Sequence, residues 1–188
     1  MKSERPRQLS TAEERRETVL RTAIGAFAAR GYWGTTTSEV AKAAGISQAY
    51  VYRLFPNKEL LFTAVVEHCF VQVRGSLERA ATEVKGSSPE AVLGAMGDEY
   101  ALLISDNDLM LIQLHAQAAA VSEPAVREAV RQGYAGLVEY VRGASGGTEG
   151  QVQEFFARGM LCHLIVSMGA DEVDAPWTRT LSAGIKHV

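Results

Sequence analysis

The sequence predicts an all-α protein of about nine helices. Three observations point there. Apolar residues recur at intervals of three and four; glycine, proline and helix-capping residues fall between the resulting segments; and strand-like runs are scarce.

The first helix is predicted from about Thr11 to Ala29, because Ser10 with Glu13 fits a capping box and Leu20, Ile24, Phe27 and Ala28 form a buried stripe ending at Gly31. Thr36 with Glu39 repeats the capping pattern and opens a short helix through Ala44, which Gly45 terminates. A third short helix follows from Ser47 to about Leu54. Pro56 stops it, since proline lacks the backbone donor, and Asn57 caps a fourth helix carrying Leu60, Leu61, Ala64, Val65 and His68 towards Val84. Beyond the break Gly86-Ser87-Ser88-Pro89, helices are predicted near 89–104, 107–121, 124–142, 148–169 and 175–187. Their separators are Ser105-Asp106, Ser122-Glu123-Pro124, the stretch from Gly143 to Gly147, and Asp171 to Pro176.

A chain of 188 residues that is 47% hydrophobic can build one core, or a small module fused to a larger one. The two cysteines, Cys69 and Cys162, are far apart and offer neither a disulfide framework nor a CxxC pair. A reducing, cytoplasmic setting is the expectation. The N-terminus lacks the apolar run of a secretory signal, and no stretch of about 20 apolar residues suits a membrane helix. The net charge of −3 hides an asymmetry: residues 1–60 carry 10 basic and 6 acidic side chains, whereas the remainder carries 9 and 16. An anionic polymer is attracted to one end of this chain.

The chemistry concentrates between Thr37 and Phe55. Two short helices crossing steeply need a small residue at the crossing, a positive-φ residue at the turn and apolar faces that lock the pair; Ala41, Gly45, and Val40, Ile46, Val51 and Leu54 supply them. Ser47, Gln48, Tyr50, Tyr52 and Arg53 are left facing outward, a set of hydroxyl, amide, phenol and guanidinium groups suited to base edges and phosphates in a major groove. The pattern is that of a DNA-binding helix-turn-helix.

Residues 11–66 resemble the DNA-binding domain of the TetR family of transcription regulators. The resemblance rests on the phrase from Phe27 to Thr37, the turn Ala44-Gly-Ile-Ser, and the closing Tyr52-Arg-Leu-Phe-Pro-Asn-Lys-Glu-Leu-Leu. It implies a three-helix DNA-binding domain over residues 1–56, a helical effector-binding and dimerisation domain over 57–188, and DNA contacts from Thr37, Ser38, Ser47, Gln48, Tyr50, Tyr52, Arg53 and Lys58. Thr37 and Lys58 stand at helix N-termini, where free amides favour phosphate. Where the family often carries glycine or a small hydroxyl residue after Gln48, this chain has alanine followed by Tyr50. Arg5, Arg7, Arg15 and Arg16 could extend the footprint.

The implied function is a homodimer on a near-palindromic double-stranded operator, acting as a repressor released by a small molecule, with no cofactor and no membrane partner. For the dimer surface the sequence offers two apolar stripes, Val152, Phe155, Gly159, Met160, His163 and Ser167 on one helix and Trp177, Leu181 and Ile185 on the next. For the effector cavity it offers Met96, Tyr100, Met110 and Gln113, then Leu114, Gln117, Tyr134 and Phe156. No phosphate loop, nucleophile elbow or catalytic acid pair is found, so an enzyme is not expected. Two alternatives stay open: a metal- or thiol-responsive regulator using His68-Cys69 and Cys162-His163, and an effector-independent DNA-binding protein with a filled interior.

Overall fold

The computed structural model describes the backbone of residues 6–105 and 107–185, with side chains from residue 13 onward except Asp171. Among the described residues it contains nine α-helices, one 3-10 turn and no strand. They are α1 (Pro6–Gly34), α2 (Thr37–Ala43), α3 (Gln48–Leu54), α4 (Lys58–Glu83), α5 (Pro89–Ile104), α6 (Asp108–Ala119), α7 (Pro124–Ser145), α8 (Glu149–Ser167) and α9 (Pro176–Ser182), with the turn at Ala170–Glu172 before α9.

The first helix is longer than the sequence predicts. The backbone is already helical at Pro6, so Ser10 lies inside α1 rather than at its cap. Gly31 does break the helix, with φ at 69°, and one further turn follows to Gly34. The notch is filled from α6: a Cβ on Gly31 would sit 2.8 Å from His115 Nδ1, and His115 Nε2 donates to the Ala28 carbonyl at 3.2 Å. The caps predicted at Thr36 and Asn57 are present, each accepting a backbone N–H at the start of α2 and α4, and Ser47, Ser88 and Thr148 do the same for α3, α5 and α8. At the other end α9 stops at Ser182, short of the predicted 187.

Helix α4 spans about 39 Å at 1.5 Å per residue and belongs to both halves of the molecule. At its start Leu61 and Phe62 are buried against α1, the Phe62 ring lying 4.8 Å from Phe27 and 5.2 Å from Tyr32. Leu60, one of the apolar residues read for this helix, is exposed, whereas Phe62, which was not among them, is fully buried. Further along, Cys69, Phe70, Val73 and Leu77 pack beneath α5, α6 and α7. One apolar core thus runs from Val19 to Val152. Among the described residues, no helix is long and apolar enough to cross a membrane.

Candidate nucleic-acid interface and ligand cavity

Helices α2 and α3 are fixed by short-range polar bonds around a small apolar contact. Thr36 and Glu39 close a reciprocal capping box, with Glu39 N–H to Thr36 Oγ1 at 3.2 Å and Thr36 N–H to Glu39 Oε2 at 2.9 Å. These bonds, and then Arg30 paired across from α1, hold the Glu39 carboxyl below its ordinary range. Gly45 makes the turn with φ at 66°; an added Cβ there would meet nothing, so the backbone conformation and not space demands glycine. Val40, Ala41 and Val51 are buried beneath, with Ile46 and Leu54 half-buried against them.

A polar chain then joins the two helices. Gln48 Nε2 donates to Thr37 Oγ1 and Thr37 Oγ1 donates to Tyr52 Oη, both at 3.0 Å. Because Tyr52 is the acceptor, its own proton remains available to an acceptor outside the protein. Ser38, Ser47, Gln48, Tyr52 and Arg53 are exposed, Tyr50 and Lys58 half-buried, and Thr37 buried. Two of these residues do structural work that the sequence reading missed: the Thr37 hydroxyl is taken up inside the chain just described, and the Lys58 ammonium donates to the Tyr32 carbonyl at 2.9 Å from above the Tyr32 ring. Tyr50 lies between Arg53 and Arg15, 4.7 and 5.7 Å from its centroid, and a hydrogen bond from Arg15 lowers its phenol pKa. Arg16 stacks on Phe55. Arg5 and the side chain of Arg7 lie outside the described residues.

The second site is a cavity of about 450 Å³ enclosed mainly by α4, α5, α7 and α8. Of the residues predicted for it, Tyr100, Gln113, Tyr134 and Phe156 line it. Met96 and Met110 are instead fully packed in the core, and Gln117 bonds the Tyr134 hydroxyl at 3.0 Å from outside the lining, where Leu114 also lies. Phe155, Gly159, Met160, His163 and Ile185, predicted for a dimer surface, line the cavity as well. The sequence reading thus divided one inward face of α8 between two sites. At the polar end Tyr100 Oη stands 2.6 Å from His163 Nε2 and 3.1 Å from Gln113 Oε1. Burial pushes the Tyr100 phenol up and the His163 imidazole down to about 4, so both are neutral near pH 7. His163 Nδ1 is buried and has no partner.

Comparison with known proteins decides the family. The description "Bacterial regulatory proteins, tetR family" matches residues 19–65, the segment that builds this helix-turn-helix. The chain belongs to the TetR family. Among TetR-type relatives it is 30% identical to the HTH-type transcriptional regulator CymR of Pseudomonas putida over 131 residues, 68% of this chain and 63% of that one. It is also 30% identical to the uncharacterized HTH-type transcriptional regulator YerO of Bacillus subtilis over 80 residues, 43% of this chain and 28% of that protein. The chain therefore spans between about a quarter and two thirds of the length of these relatives. In fold it is similar to the transcriptional regulator FadR from Bacillus subtilis in complex with stearoyl-CoA, with TM-score 0.68 and 20% identity over 90% of this chain and 99% of that one.

Two faces of α8 differ in this TetR-family chain. Val152 and His163 are covered within the subunit, whereas Met160, Leu164 and Met168, and Trp177 on α9, stand exposed. Ser167 is exposed and Leu181 half-buried. Leu164 and Met168 were missed in the sequence, although their spacing from Met160 is the helical i, i+4. Among the described residues no three His, Cys, Asp or Glu side chains are placed to hold a metal ion. Both thiols are buried, Cys69 with its pKa pushed up to about 12, and so lack the exposed, electropositive setting that makes a cysteine reactive.

Proposed function

We propose that this TetR-family protein is a ligand-responsive repressor that binds a near-palindromic operator as a homodimer. The observation that carries the reading is the Gln48–Thr37–Tyr52 chain, which presets an exposed recognition helix and leaves the Tyr52 proton facing outward. Tyr52 then donates to a backbone phosphate, Gln48, Tyr50 and Arg53 meet base edges, and Ser38 and Ser47 supply hydroxyls at the helix starts. Thr37 and Lys58 act by holding the reader in place, Lys58 also contributing positive charge near the phosphates. The exposed stripe Met160, Leu164, Met168 and Trp177 is the dimer surface that its exposure favours, in place of the inward residues Val152 and His163.

The cavity, and the acyl-CoA held by the structurally similar FadR, support a small-molecule effector and disfavour a filled, effector-independent interior. Effector binding acts through α4, since Val73 and Leu77 line the cavity while Leu61 and Phe62 of the same helix sit in the DNA-binding half. On this reading the protein works in the cytoplasm, where its operator lies.

The test is fluorescence anisotropy of the dimer on DNA flanking its own gene at two salt concentrations. Tight, salt-sensitive binding is expected, weakened about fivefold in Tyr52→Phe through loss of one hydrogen bond. Specific binding that Tyr52→Phe leaves unchanged removes Tyr52 from the interface, and failure to select any DNA fragment from the source genome overturns the regulator reading.

A further inference from the structure

The side chains of α3 fall into rows that differ in what holds them. Successive residues turn by about 100° around a helix, so side chains four apart share a row. Val51 points inward and is fully buried. Gln48 and Tyr52 form the row on the α2 side, where both meet the Thr37 hydroxyl at 3.0 Å. Tyr50 and Leu54 form the row on the α1 side, where the Arg15 guanidinium lies 5.7 Å from the Tyr50 centroid and Arg16 donates to the Leu54 carbonyl at 3.5 Å. Ala49 and Arg53 make the row between these two, opposite Val51, and both are exposed.

The middle row enters a groove deepest when a helix lies in it. Alanine at its start keeps the helix surface low, so the backbone can approach base edges, and the long side chain on that row is Arg53. Its guanidinium stands over the Tyr50 ring, 4.7 Å from the centroid, and forms no ion pair with a carboxylate among the described residues. Stacking on an aromatic face restricts the rotamers of an exposed arginine and presents its planar fork of N–H donors. Tyr50 is itself held in place, half-buried beside Arg15 with its backbone N–H on Ser47 Oγ at 3.2 Å. In the major groove, guanine sets two acceptors, N7 and O6, side by side before such a fork. Adenine places an amino donor beside its N7, and thymine offers O4 alone.

Resting on the reading of α3 as the recognition helix, we propose that Arg53 is a specificity-determining residue that reads a guanine in each operator half-site through N7 and O6, with Tyr50 as the positioning residue that holds its fork. Tyr50 thereby reaches the base through Arg53, while Tyr52 keeps the phosphate.

The test is selection of targets by the full-length protein from a pool of random-sequence duplexes. A symmetric consensus is expected, with one guanine in each half-site whose preference is lost in Arg53→Ala while the other positions keep theirs. In the wild type, replacing that guanine by 7-deazaguanine, which removes only the N7 acceptor, weakens binding about tenfold, and the penalty vanishes in Arg53→Ala. Tyr50→Leu lowers the discrimination between guanine and adenine at that position about fivefold, whereas Tyr50→Phe, which keeps the ring, retains it. A purely structural role for Tyr50 would weaken every sequence alike. Arg53→Ala that weakens all sequences equally and lowers the salt slope by about one puts Arg53 on a phosphate and overturns the proposal, leaving the regulator reading intact. A consensus unchanged in Arg53→Ala, or indifferent to 7-deazaguanine, does the same, and discrimination unchanged in Tyr50→Leu removes Tyr50 from it. Enrichment of no sequence by the wild type overturns the regulator reading and the proposal with it.

Discussion

The two ends of α4 sit in opposite kinds of structure. At its N-terminus lies a small reader, α1 to α3, with its interior filled and its polar side chains turned outward. At its C-terminal half lies an enclosure, in which the polar groups Tyr100, Gln113 and His163 turn inward around a hole. On the proposed function the reader needs rigidity, because a displaced hydroxyl would miss its phosphate. The enclosure needs room, and leaves a core unfilled and an acceptor unsatisfied, both of which cost stability. A ligand can recover that lost stability, which gives it leverage on α4.

The largest test of this contrast is at the joint. Phe62 is fully buried and touches both Phe27 and Tyr32. Phe62→Ala is expected to cost about 3–5 kcal/mol in urea unfolding. If the halves are one cooperative unit, helix content and aromatic fluorescence fall in a single coincident transition; two separated transitions would show that α4 joins independently stable bodies.

Above the carboxylate range, only the enclosure should carry a pH dependence. His163 is held near 4 by burial, below the value near 6.5 of an unfolded imidazole, so between these values the unfolded chain binds the extra proton. Stability on this account is fully present above about pH 6.5 and falls by roughly 2–3 kcal/mol as the pH drops to about 4. The loss should be absent in His163→Phe, measured by chemical denaturation at matched ionic strength. The reader, whose described residues hold no histidine, should not contribute to it.

The same contrast explains what could be read from the chain. Most of the reader was legible because its demands are local: Thr36 with Glu39, Gly45 and Pro56 each act within four residues, and that capping box and turn appear as predicted, whereas the box expected at Ser10 and Glu13 does not. Thr37 and Lys58 were read as DNA contacts, and their structural bonds were missed because the partners, Tyr52 and Tyr32, are 15 and 26 residues away. In α8 both faces are apolar, so periodicity could not say which one faces inward. The split follows from where α5 and α7 pack, a long-range fact, and it sends His163 to the cavity and Leu164 and Met168 to the surface, while Met160 borders both. Gly31 was legible as a break but not as the notch for His115, which lies 84 residues further along.

The smallest prediction separates filled space from open space within a single helix. On α7, an added Cβ at Gly133 would stand 2.3–2.5 Å from the ring of Phe70, which is itself held edge-on against Tyr134 at 5.3 Å. At Gly136, one turn on, an added Cβ meets nothing within 4 Å. Alanine favours a helix over glycine by about 0.8–1 kcal/mol at either position, so the difference between them measures packing alone. Gly136→Ala should stabilise by about 0.5–1 kcal/mol, whereas Gly133→Ala should destabilise by about 1–3 kcal/mol through overpacking. Both are read from the shift in urea midpoint at unchanged slope. Equal stabilisation by the two would mean that Phe70 can swing into the neighbouring cavity, so that the wall between α4 and α7 is soft and an effector could displace it directly.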